Sequence, residues 1–225
     1  MEVKVYSDIM KANDVLAQQN RSFFDERGLY VLNMLGSPGS GKTTVLERTV
    51  EVCRERSGLQ IGVIEGDIET SRDAERLDKM GVPVIQINTR GACHLDAAMI
   101  GRVLDGLPTD QMDVLIVENV GNLVCPAGFE LGENGKMTVL SVTEGEDKPV
   151  KYPEAFRKSC ATLVNKTDLL EHTNVSLDVL ERDLHGINPS LRVIAVSGRT
   201  GDGIADWVDW LEETVRDWRA SHKAK

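Results

Sequence analysis

Residues 36–43 read Gly36-Ser37-Pro38-Gly39-Ser40-Gly41-Lys42-Thr43, and this stretch decides the fold. It matches the pattern G-x-x-x-x-G-K-S/T, with an apolar run over residues 29–35 before it and a helical pattern over 44–53 after it. This strand–loop–helix context is the one that a phosphate-binding P-loop requires. The glycine-rich backbone can point its N–H groups at an anion, and the helix N-terminus adds partial positive charge. The stretch therefore predicts binding of a nucleoside triphosphate, with Lys42 at the β- and γ-phosphates and the Thr43 hydroxyl on Mg²⁺.

Composition and charge exclude several classes of function. The 225 residues suit one α/β domain spanning residues 1–225. A net charge of −10 and a pI of about 5.0 argue against a nucleic acid or an acidic membrane as partner. No apolar stretch approaches the roughly 20 residues of a membrane span, and no signal-peptide pattern opens the sequence. We therefore expect a cytoplasmic protein whose four cysteines are reduced thiols: Cys53, Cys93, Cys125 and Cys160.

Short apolar segments alternate with helical patterns along the whole chain. Strands are expected at residues 29–35, 60–67, 82–88, 113–118, 136–142, 161–165 and 191–196. This alternation predicts an α/β fold, a doubly wound, mostly parallel seven-stranded sheet of the P-loop NTPase type with helices on both faces. A helix over about residues 7–27, with Ile9, Ala12, Leu16 and Phe23 near one face, is predicted to form an N-terminal packing arm.

The stretch Asn165-Lys166-Thr167-Asp168, at the end of the sixth predicted strand, matches the guanine motif N-K-x-D. The Asp168 carboxylate can accept hydrogen bonds from guanine N1–H and the exocyclic amine, whereas adenine presents a lone pair at N1. Asn165 can reach the opposite edge of the base, and the stem of Lys166 can lie on its face. Ser197-Gly198, after the last strand, resembles the loop whose backbone closes over guanine. Because a mismatched base leaves buried polar groups unsatisfied, GTP is expected in preference to ATP.

Carboxylates that end two predicted strands are the candidates for hydrolytic chemistry. Asp67 and Glu118 could hold Mg²⁺ or orient water, and helix capping at the strand ends is the alternative. Gly121 could sense the γ-phosphate through its N–H group. Asn122 stands where Ras-type enzymes carry a catalytic glutamine, and its side chain is one methylene shorter. We therefore expect slow turnover, about 10⁻⁴–10⁻² s⁻¹, as in unassisted GTPases.

These motifs define a set of predicted site residues. Catalytic roles are expected for Lys42, Asp67 and Glu118, and Mg²⁺ ligation for Thr43, Asp67 and Glu118. Nucleotide contacts are expected from Gly36, Ser37, Pro38, Gly39, Ser40, Gly41, Lys42, Thr43, Thr44, Gly121, Asn165, Lys166, Asp168, Ser197 and Gly198.

Two further loops at the same sheet edge carry two thiols and an imidazole. Cys93 and His94 follow the third predicted strand, and Cys125 lies seven residues beyond Glu118. Two thiolates and one imidazole suit Zn²⁺ or Ni²⁺. Three ligands are one fewer than a tetrahedral structural site needs, so water or a second subunit could supply the fourth. The alternative is that the cysteines are small packing residues and His94 caps a helix.

Together the motifs resemble those of the HypB family, the GTPases that incorporate nickel during maturation of nickel–iron hydrogenases. The resemblance rests on the P-loop, Glu65-Gly66-Asp67, Cys93-His94, E-N-V-G-N-L-V-C-P at 118–126, T-E-G-E-D-K-P-V-K-Y-P at 143–153 and N-K-T-D at 165–168. It runs from about residue 7 to 210. Many bacterial members also carry an N-terminal C-x-x-C-G-C motif. This sequence has no cysteine before Cys53, so we expect any metal role to rest on Cys93, His94 and Cys125.

The resemblance implies a homodimer that forms with GTP, with those three residues at the subunit interface. It also implies that Lys148 or Lys151 approaches the neighbour's nucleotide, and Lys151 is taken as the nucleotide contact. The loops at 67–73 and 120–135 are expected to draw two subunits together. The implied partners are an accessory nickel or zinc chaperone and the hydrogenase large subunit. Two alternatives remain: a GTPase chaperone for another metalloenzyme, of urease or cobalamin type, and a small-molecule kinase, against which N-K-T-D argues.

Overall fold

The computed structural model of the chain describes residues 8–67 and 72–223. Its strands are β1 (Tyr30–Gly36), β2 (Ile61–Asp67), β3 (Val84–Asn88), β4 (Val114–Glu118), β5 (Gly135–Ser141), β6 (Ser159–Asn165) and β7 (Arg192–Ala195). Its α-helices are α1 (Asp8–Arg27), α2 (Lys42–Val52), α3 (Arg72–Lys79), α4 (Ala97–Gly101), α5 (Cys125–Gly128), α6 (Lys148–Lys151), α7 (Pro153–Arg157), α8 (Leu177–Ile187) and α9 (Ile204–Lys223). None of these helices is long and apolar enough to cross a membrane.

The strands form one sheet in the order β3-β2-β4-β1-β5-β6-β7, and each described neighbour pair is parallel. This confirms the predicted doubly wound α/β architecture. Because all strands run the same way, their carboxyl ends meet at one edge of the sheet. The P-loop after β1, Asp67 on β2, Glu118 on β4 and Asn165 on β6 therefore lie at that edge.

The sheet is buried on both faces, which explains its nearly continuous apolar strands. Every residue of β1 is buried. On one face, Trp207 of α9 packs fully buried against α2, and its indole N–H donates to Thr49 Oγ1 at 3.0 Å. On the other face, Phe24 of α1 joins a cluster that includes Leu95 and Leu115. The helix that follows the P-loop is thereby held rigidly against the sheet.

The predicted contact face of α1 is wrong in part, although Phe23 does pack against the core. Its buried residues are Asn13, Ala17, Asn20 and Phe24, whereas Ala12 is exposed, and Leu16 and Phe23 are only partly buried. Ile9 lies outside the described side chains. The apolar-spacing rule treats asparagine as a surface residue, but both of these asparagines bond to backbone groups of neighbouring loops. Tertiary hydrogen bonds thus rotate the helix relative to its apolar pattern.

Two short helices lie near the sheet edge that carries the site. The helix after the Cys93–His94 loop is α4 (Ala97–Gly101), and Asp96 caps its N-terminus by accepting from Met99 N at 2.8 Å. The segment between β4 and β5 contains α5, which begins at Cys125. Residues 68–71 lie outside the described residues, so only part of the 67–73 loop can be placed.

Candidate nucleotide and metal sites

The P-loop has the backbone conformation that its glycines allow. Gly41 has φ +93°, and a Cβ there would lie 2.4 Å from Asn165 Nδ2, so no larger residue fits. Lys42 begins α2 and is buried, and its ammonium donates to the Gly36 carbonyl at 3.3 Å and the Ser37 carbonyl at 3.5 Å. The ammonium of Lys42 therefore lies beside the N-terminus of α2, and the positive charge of each favours binding of a phosphate.

A cleft of about 570 Å³ opens beside this loop, and its volume falls within the range of small-molecule sites. The predicted residues among its lining are Pro38, Gly39, Gly41, Lys42, Thr43, Thr44, Asp67, Glu118, Gly121 and Lys166. Glu65, Asp73 and Arg76 also line it. The structure therefore brings the P-loop, both predicted Mg²⁺ carboxylates and the lysine of the guanine motif to one cavity.

Thr43 and two glutamates form the carboxylate side of this cleft. Thr43 Oγ1 donates to Glu118 Oε1 at 2.9 Å. Within the described residues, Glu118 Oε2 and Glu65 Oε2 are buried without a hydrogen-bond partner. Glu65 and Glu118 are register partners on neighbouring strands β2 and β4. Unpaired carboxylate oxygens beside a hydroxyl are a hard donor set, which fits Mg²⁺.

Burial changes the protonation of both glutamates. It raises the pKa of Glu118 to about 7, against the opposing effect of the Lys42 charge. It raises the pKa of Glu65 to about 8, and the neighbouring Glu118 carboxylate adds to that rise. Each carboxyl group is therefore poised to lose its proton when a cation enters the cleft.

Sequence reasoning missed Glu65 as a site residue. The signal was present, because Glu65 is a charged residue within a buried strand and stands two positions before Asp67. Side chains two apart on a strand share one face. The pairing of β2 with β4, which brings Glu65 beside Glu118, is visible only in the folded sheet.

The guanine motif and the 197–198 loop meet behind the P-loop. Asn165 Nδ2 donates to the Ser40 carbonyl at 2.8 Å, and Asn165 Oδ1 accepts from Gly198 N at 3.0 Å. Lys166 has φ +64° and its ammonium donates to the Gly39 carbonyl at 2.6 Å. Asn165 therefore ties both loops together, a structural role that the sequence did not indicate.

Asp168, the expected guanine-selecting carboxylate, is held in place by its neighbours. Its Oδ1 accepts from Ser197 Oγ at 2.6 Å. Its Oδ2 faces the Arg199 guanidinium at 3.7 Å, and the Arg199 side chain is 81% exposed. Arg48 of α2 donates to the Gly198 carbonyl at 3.2 Å and so anchors this loop to the P-loop helix. The carboxylate is thus oriented before any base binds.

The remaining predicted nucleotide contacts lie outside the cleft lining. Ser40 is fully buried within the P-loop, and Ser37 lines a neighbouring groove with Glu144 and Lys148. Lys151 is on α6, 60% exposed, and pairs with Asp147 at 2.5 Å. It does not line the nucleotide cleft of its own chain, and its contact with a neighbour's nucleotide stays a prediction.

Cys93, His94 and Cys125 converge as expected. One candidate ligand atom from each lies within 4.8 Å of the other two, and Cys93 Sγ is 3.6 Å from His94 Nδ1. The imidazole stacks on Phe129, with ring centroids 3.8 Å apart. Cys125 is the first residue of α5, so this helix directs its thiol toward the other loop.

The protonation of these ligands is also perturbed. The hydrogen bond with Cys125 raises the pKa of the Cys93 thiol, and burial lowers the pKa of His94. Near neutral pH the imidazole is therefore neutral and able to bind a metal, while Cys93 gives up a proton on binding. Burial raises the pKa of Cys53 and of Cys160 to about 11, so both thiols stay protonated and uncharged near neutral pH.

Comparison with known proteins identifies the family. The protein-family model described as "CobW/HypB/UreG, nucleotide-binding domain" matches residues 30–195. The hydrogenase maturation factor HypB of Azotobacter vinelandii is 48% identical over 210 residues, which cover 93% of this chain and 69% of that protein. Among solved structures, HypB from Helicobacter pylori in complex with nickel has a TM-score of 0.85 at 38% identity, covering 92% of this chain and 96% of that one. HypB from Archaeoglobus fulgidus has a TM-score of 0.83 at 38% identity, covering 91% and 99%.

The range matched by the family model, residues 30–195, contains the P-loop, Glu65 and Glu118, the guanine motif, and Cys93, His94 and Cys125. The chain therefore belongs to the CobW/HypB/UreG nucleotide-binding family and, within it, to the HypB hydrogenase maturation factors.

Proposed function

We propose that this protein is a GTP-dependent metallochaperone that hydrolyses GTP slowly and delivers nickel during maturation of a nickel–iron hydrogenase. One observation carries the proposal: residues 118–125 link the nucleotide cleft directly to the metal-binding trio. Glu118 and Gly121 line the cleft, and Cys125 is a member of the trio. A nucleotide-dependent movement of this segment would therefore reach the metal site.

The residues of the cleft have distinct roles in GTP binding and hydrolysis. Lys42 neutralises the β- and γ-phosphates, and Gly121 N–H contacts the γ-phosphate. Thr43, Asp67 and Glu118 would hold Mg²⁺, which supplies positive charge to the phosphate oxygens when bound. Glu65, which lies beside Glu118, extends this carboxylate set.

Guanine selection belongs to Asp168 and its supporting loop. Its carboxylate accepts from guanine N1–H and the exocyclic amine, while Ser197 holds it in position. Hydrogen bonds to a charged group contribute about 1.5–3 kcal/mol each. Two such bonds account for discrimination against ATP, and the same carboxylate argues against a kinase specific for adenine nucleotides.

The metal cargo enters through Cys93, His94 and Cys125. Nickel is the proposed cargo because the structurally similar Helicobacter pylori protein is described in complex with nickel, and Zn²⁺ suits the same ligands. The site is accessible, since Cys93 is exposed and Cys125 is partly exposed. Three ligands leave a position for water or for a second subunit, which favours exchange over permanent binding.

We further propose that GTP promotes a homodimer in the cytoplasm, with the metal site at its interface. Lys151 then approaches the neighbour's nucleotide. The proposed partners are an accessory nickel or zinc chaperone and the hydrogenase large subunit. The exposed position of Lys151 on α6 supports this arrangement, because its ammonium pairs only with the surface residue Asp147 among the described ion pairs.

Light scattering tests the central proposal. The protein is sized with GDP or a non-hydrolysable GTP analogue, each with and without Ni²⁺ or Zn²⁺. Dimerisation with the analogue, and metal bound through Cys93 and Cys125, is the expected result. A monomer in every nucleotide state that binds no metal would contradict both the dimer and the metallochaperone function.

Turnover and product analysis test the chemistry. We expect GDP and free phosphate at about 10⁻⁴–10⁻² s⁻¹. A rate above about 1 s⁻¹ for the isolated protein would contradict a slow switch, and a phosphorylated acceptor would instead indicate a kinase.

A further inference from the structure

We infer that the side-chain amides of Asn119 and Asn122 are positioning residues that transmit the nucleotide state to Cys93 and His94. The inference rests on the proposed function and specifies how its two sites communicate. The hydrogen bonds of these amides reach Cys93 and His94, whereas the main chain of residues 118–125 reaches Cys125.

The two amides hold the peptide bonds on either side of His94. Asn122 Nδ2 donates at 3.3 Å to the carbonyl of Cys93, which belongs to the peptide joining Cys93 to His94. Asn119 Oδ1 accepts at 3.1 Å from the N–H of Leu95, which belongs to the peptide joining His94 to Leu95. Rotation of either peptide plane redirects the thiol of Cys93 or the imidazole of His94. These two contacts therefore control the direction of two metal ligands.

Asn119 belongs to the wall of the nucleotide cleft, and Asn122 directly follows Gly121, another residue of that wall. Asn119, Val120 and Gly121 line it, and Asn119 Oδ1 also accepts from Val120 N at 3.0 Å. A Cβ on Gly121 would lie only 2.9 Å from Pro38, so this segment rests directly on the P-loop. Asn122 pairs with Gly36 in an antiparallel bridge. A shift of Gly121 toward or away from a γ-phosphate thus displaces the residues that hold the peptides.

The far end of the Cys93–His94 segment is anchored to α1. Ala97 N donates to Asn13 Oδ1 at 3.0 Å, and Asn20 Nδ2 donates to the Ala97 carbonyl at 2.8 Å. These anchors are independent of the P-loop. Because one end is held by α1 and the other by the nucleotide segment, a displacement of Asn119 and Asn122 is concentrated at Cys93 and His94.

This arrangement also explains why an asparagine occupies position 122. Its Nδ2 is engaged by the Cys93 carbonyl and its Oδ1 accepts from Val124 N at 2.9 Å. A side chain engaged at both ends is held away from the task of orienting water. Asn122 therefore acts in coupling the two sites and not in hydrolysis.

The substitution Asn122→Asp isolates the critical contact. The carboxylate still accepts from Val124 N but can no longer donate to the Cys93 carbonyl. Asn122 is partly exposed, so the variant is expected to fold. The measured quantity is the ratio of Ni²⁺ dissociation constants with GDP and with a non-hydrolysable GTP analogue. The added negative charge affects both states, so its effect largely cancels in the ratio.

The matched control is Asn88→Ala. Asn88 Oδ1 accepts from Arg90 N at 2.9 Å, so this change removes a hydrogen bond within the same metal-bearing loop without touching the nucleotide segment. The control is expected to keep the wild-type ratio. Asn122→Asp is expected to reduce the ratio by about two- to tenfold, the effect of one neutral hydrogen bond. The nickel–thiolate charge-transfer absorption should change between nucleotides in the wild type and much less in Asn122→Asp.

The outcomes separate the inference from the proposed function. If Asn122→Asp keeps the wild-type ratio of Ni²⁺ dissociation constants, the inference is overturned and the proposed metallochaperone function is unaffected. Equal loss in Asn88→Ala also overturns it, because general loosening of the loop then explains the effect. Equal Ni²⁺ affinities of the wild type in both nucleotide states overturn the coupled switch and the inference together.

Discussion

Replacing Glu65 by glutamine should stabilise the nucleotide-free protein while weakening its Mg²⁺-dependent function. Glu65 is 3% exposed, and its Oε2 has no partner within the described residues. Burial raises its pKa from 4.5 to about 8, and the Glu118 carboxylate contributes. A neutral amide of the same shape removes the cost of burying this group without creating a cavity.

The magnitude follows from linkage between protonation and folding. Between pH 4.5 and about 8 the folded state holds a proton on Glu65 that the unfolded state has released. Stability is therefore greatest below this interval and falls as the pH rises through it, by at most about 1.4 kcal/mol per pH unit. From pH 5 to pH 7 the loss is about 1–2.5 kcal/mol, because relaxation of the folded structure around the ionised carboxylate keeps it below this limit. Glu65→Gln lacks this loss and should be more stable than the wild type by that amount at pH 7.

Urea unfolding of the nucleotide-free protein at pH 5 and pH 7 measures the effect. Glu181→Gln, which neutralises an exposed carboxylate on α8, is the control and should change the stability difference little. In parallel, Glu65→Gln should bind the GTP analogue more weakly when Mg²⁺ is present. The reasoning would be refuted if Glu65→Gln were less stable than the wild type at pH 7. It would also be refuted if the two proteins differed in free energy of unfolding by the same amount at pH 5 and pH 7.

Three further predictions concern the base, the metal and its protons. Asp168→Asn should lower GTP affinity by about 10²- to 10⁴-fold, because two hydrogen bonds to a charged group are lost; equilibrium titration with GTP and xanthosine triphosphate checks this, and an unchanged GTP affinity would exclude the assigned role. Cys125→Ala should abolish Ni²⁺ or Zn²⁺ binding while nucleotide affinity stays within about threefold of the wild type; calorimetric titration with metal and with GDP decides. Metal affinity should increase from pH 6.5 to pH 8 by at least about tenfold per pH unit, because the pKa of Cys93 is raised and its proton competes with the metal. The pKa of His94 is lowered, so the imidazole is already neutral and adds no competing proton. A metal affinity independent of pH would contradict this account.

Much of the nucleotide site was predictable because its chemistry depends on contiguous residues. A P-loop needs glycines, a lysine and a threonine within one turn, and N-K-x-D presents its asparagine and aspartate from one strand end. The alternation of apolar strands with helices was sufficient for a parallel sheet, because only buried strands are apolar along their whole length. Parallel strands end at one edge, so the convergence of Cys93, His94 and Cys125 also followed from the order of elements.

Residues whose role depends on distant neighbours were not predictable in this way. Asn13 and Asn20 are buried because the fold packs α1 against the start of α4 and the loop at 130–131, and the sequence does not show this packing. Asn165 was expected at the base edge, and the fold also uses it to join two loops. The sequence shows that Asn122 stands where Ras-type enzymes carry a glutamine. It does not show the contact with Cys93, because the two residues are 29 positions apart.

The sequence by itself determined which phosphate-binding loop, which base motif and which candidate metal ligands the chain carries, because each is encoded by the types and spacing of nearby residues. The tertiary structure alone decided which of these groups touch one another. The pairing of β2 with β4 places Glu65 beside Glu118, and the packing of the 119–122 segment brings two amides to the peptides around His94. The physical reason is that such contacts arise from strand order and burial, where polar groups must find partners wherever the chain has placed them.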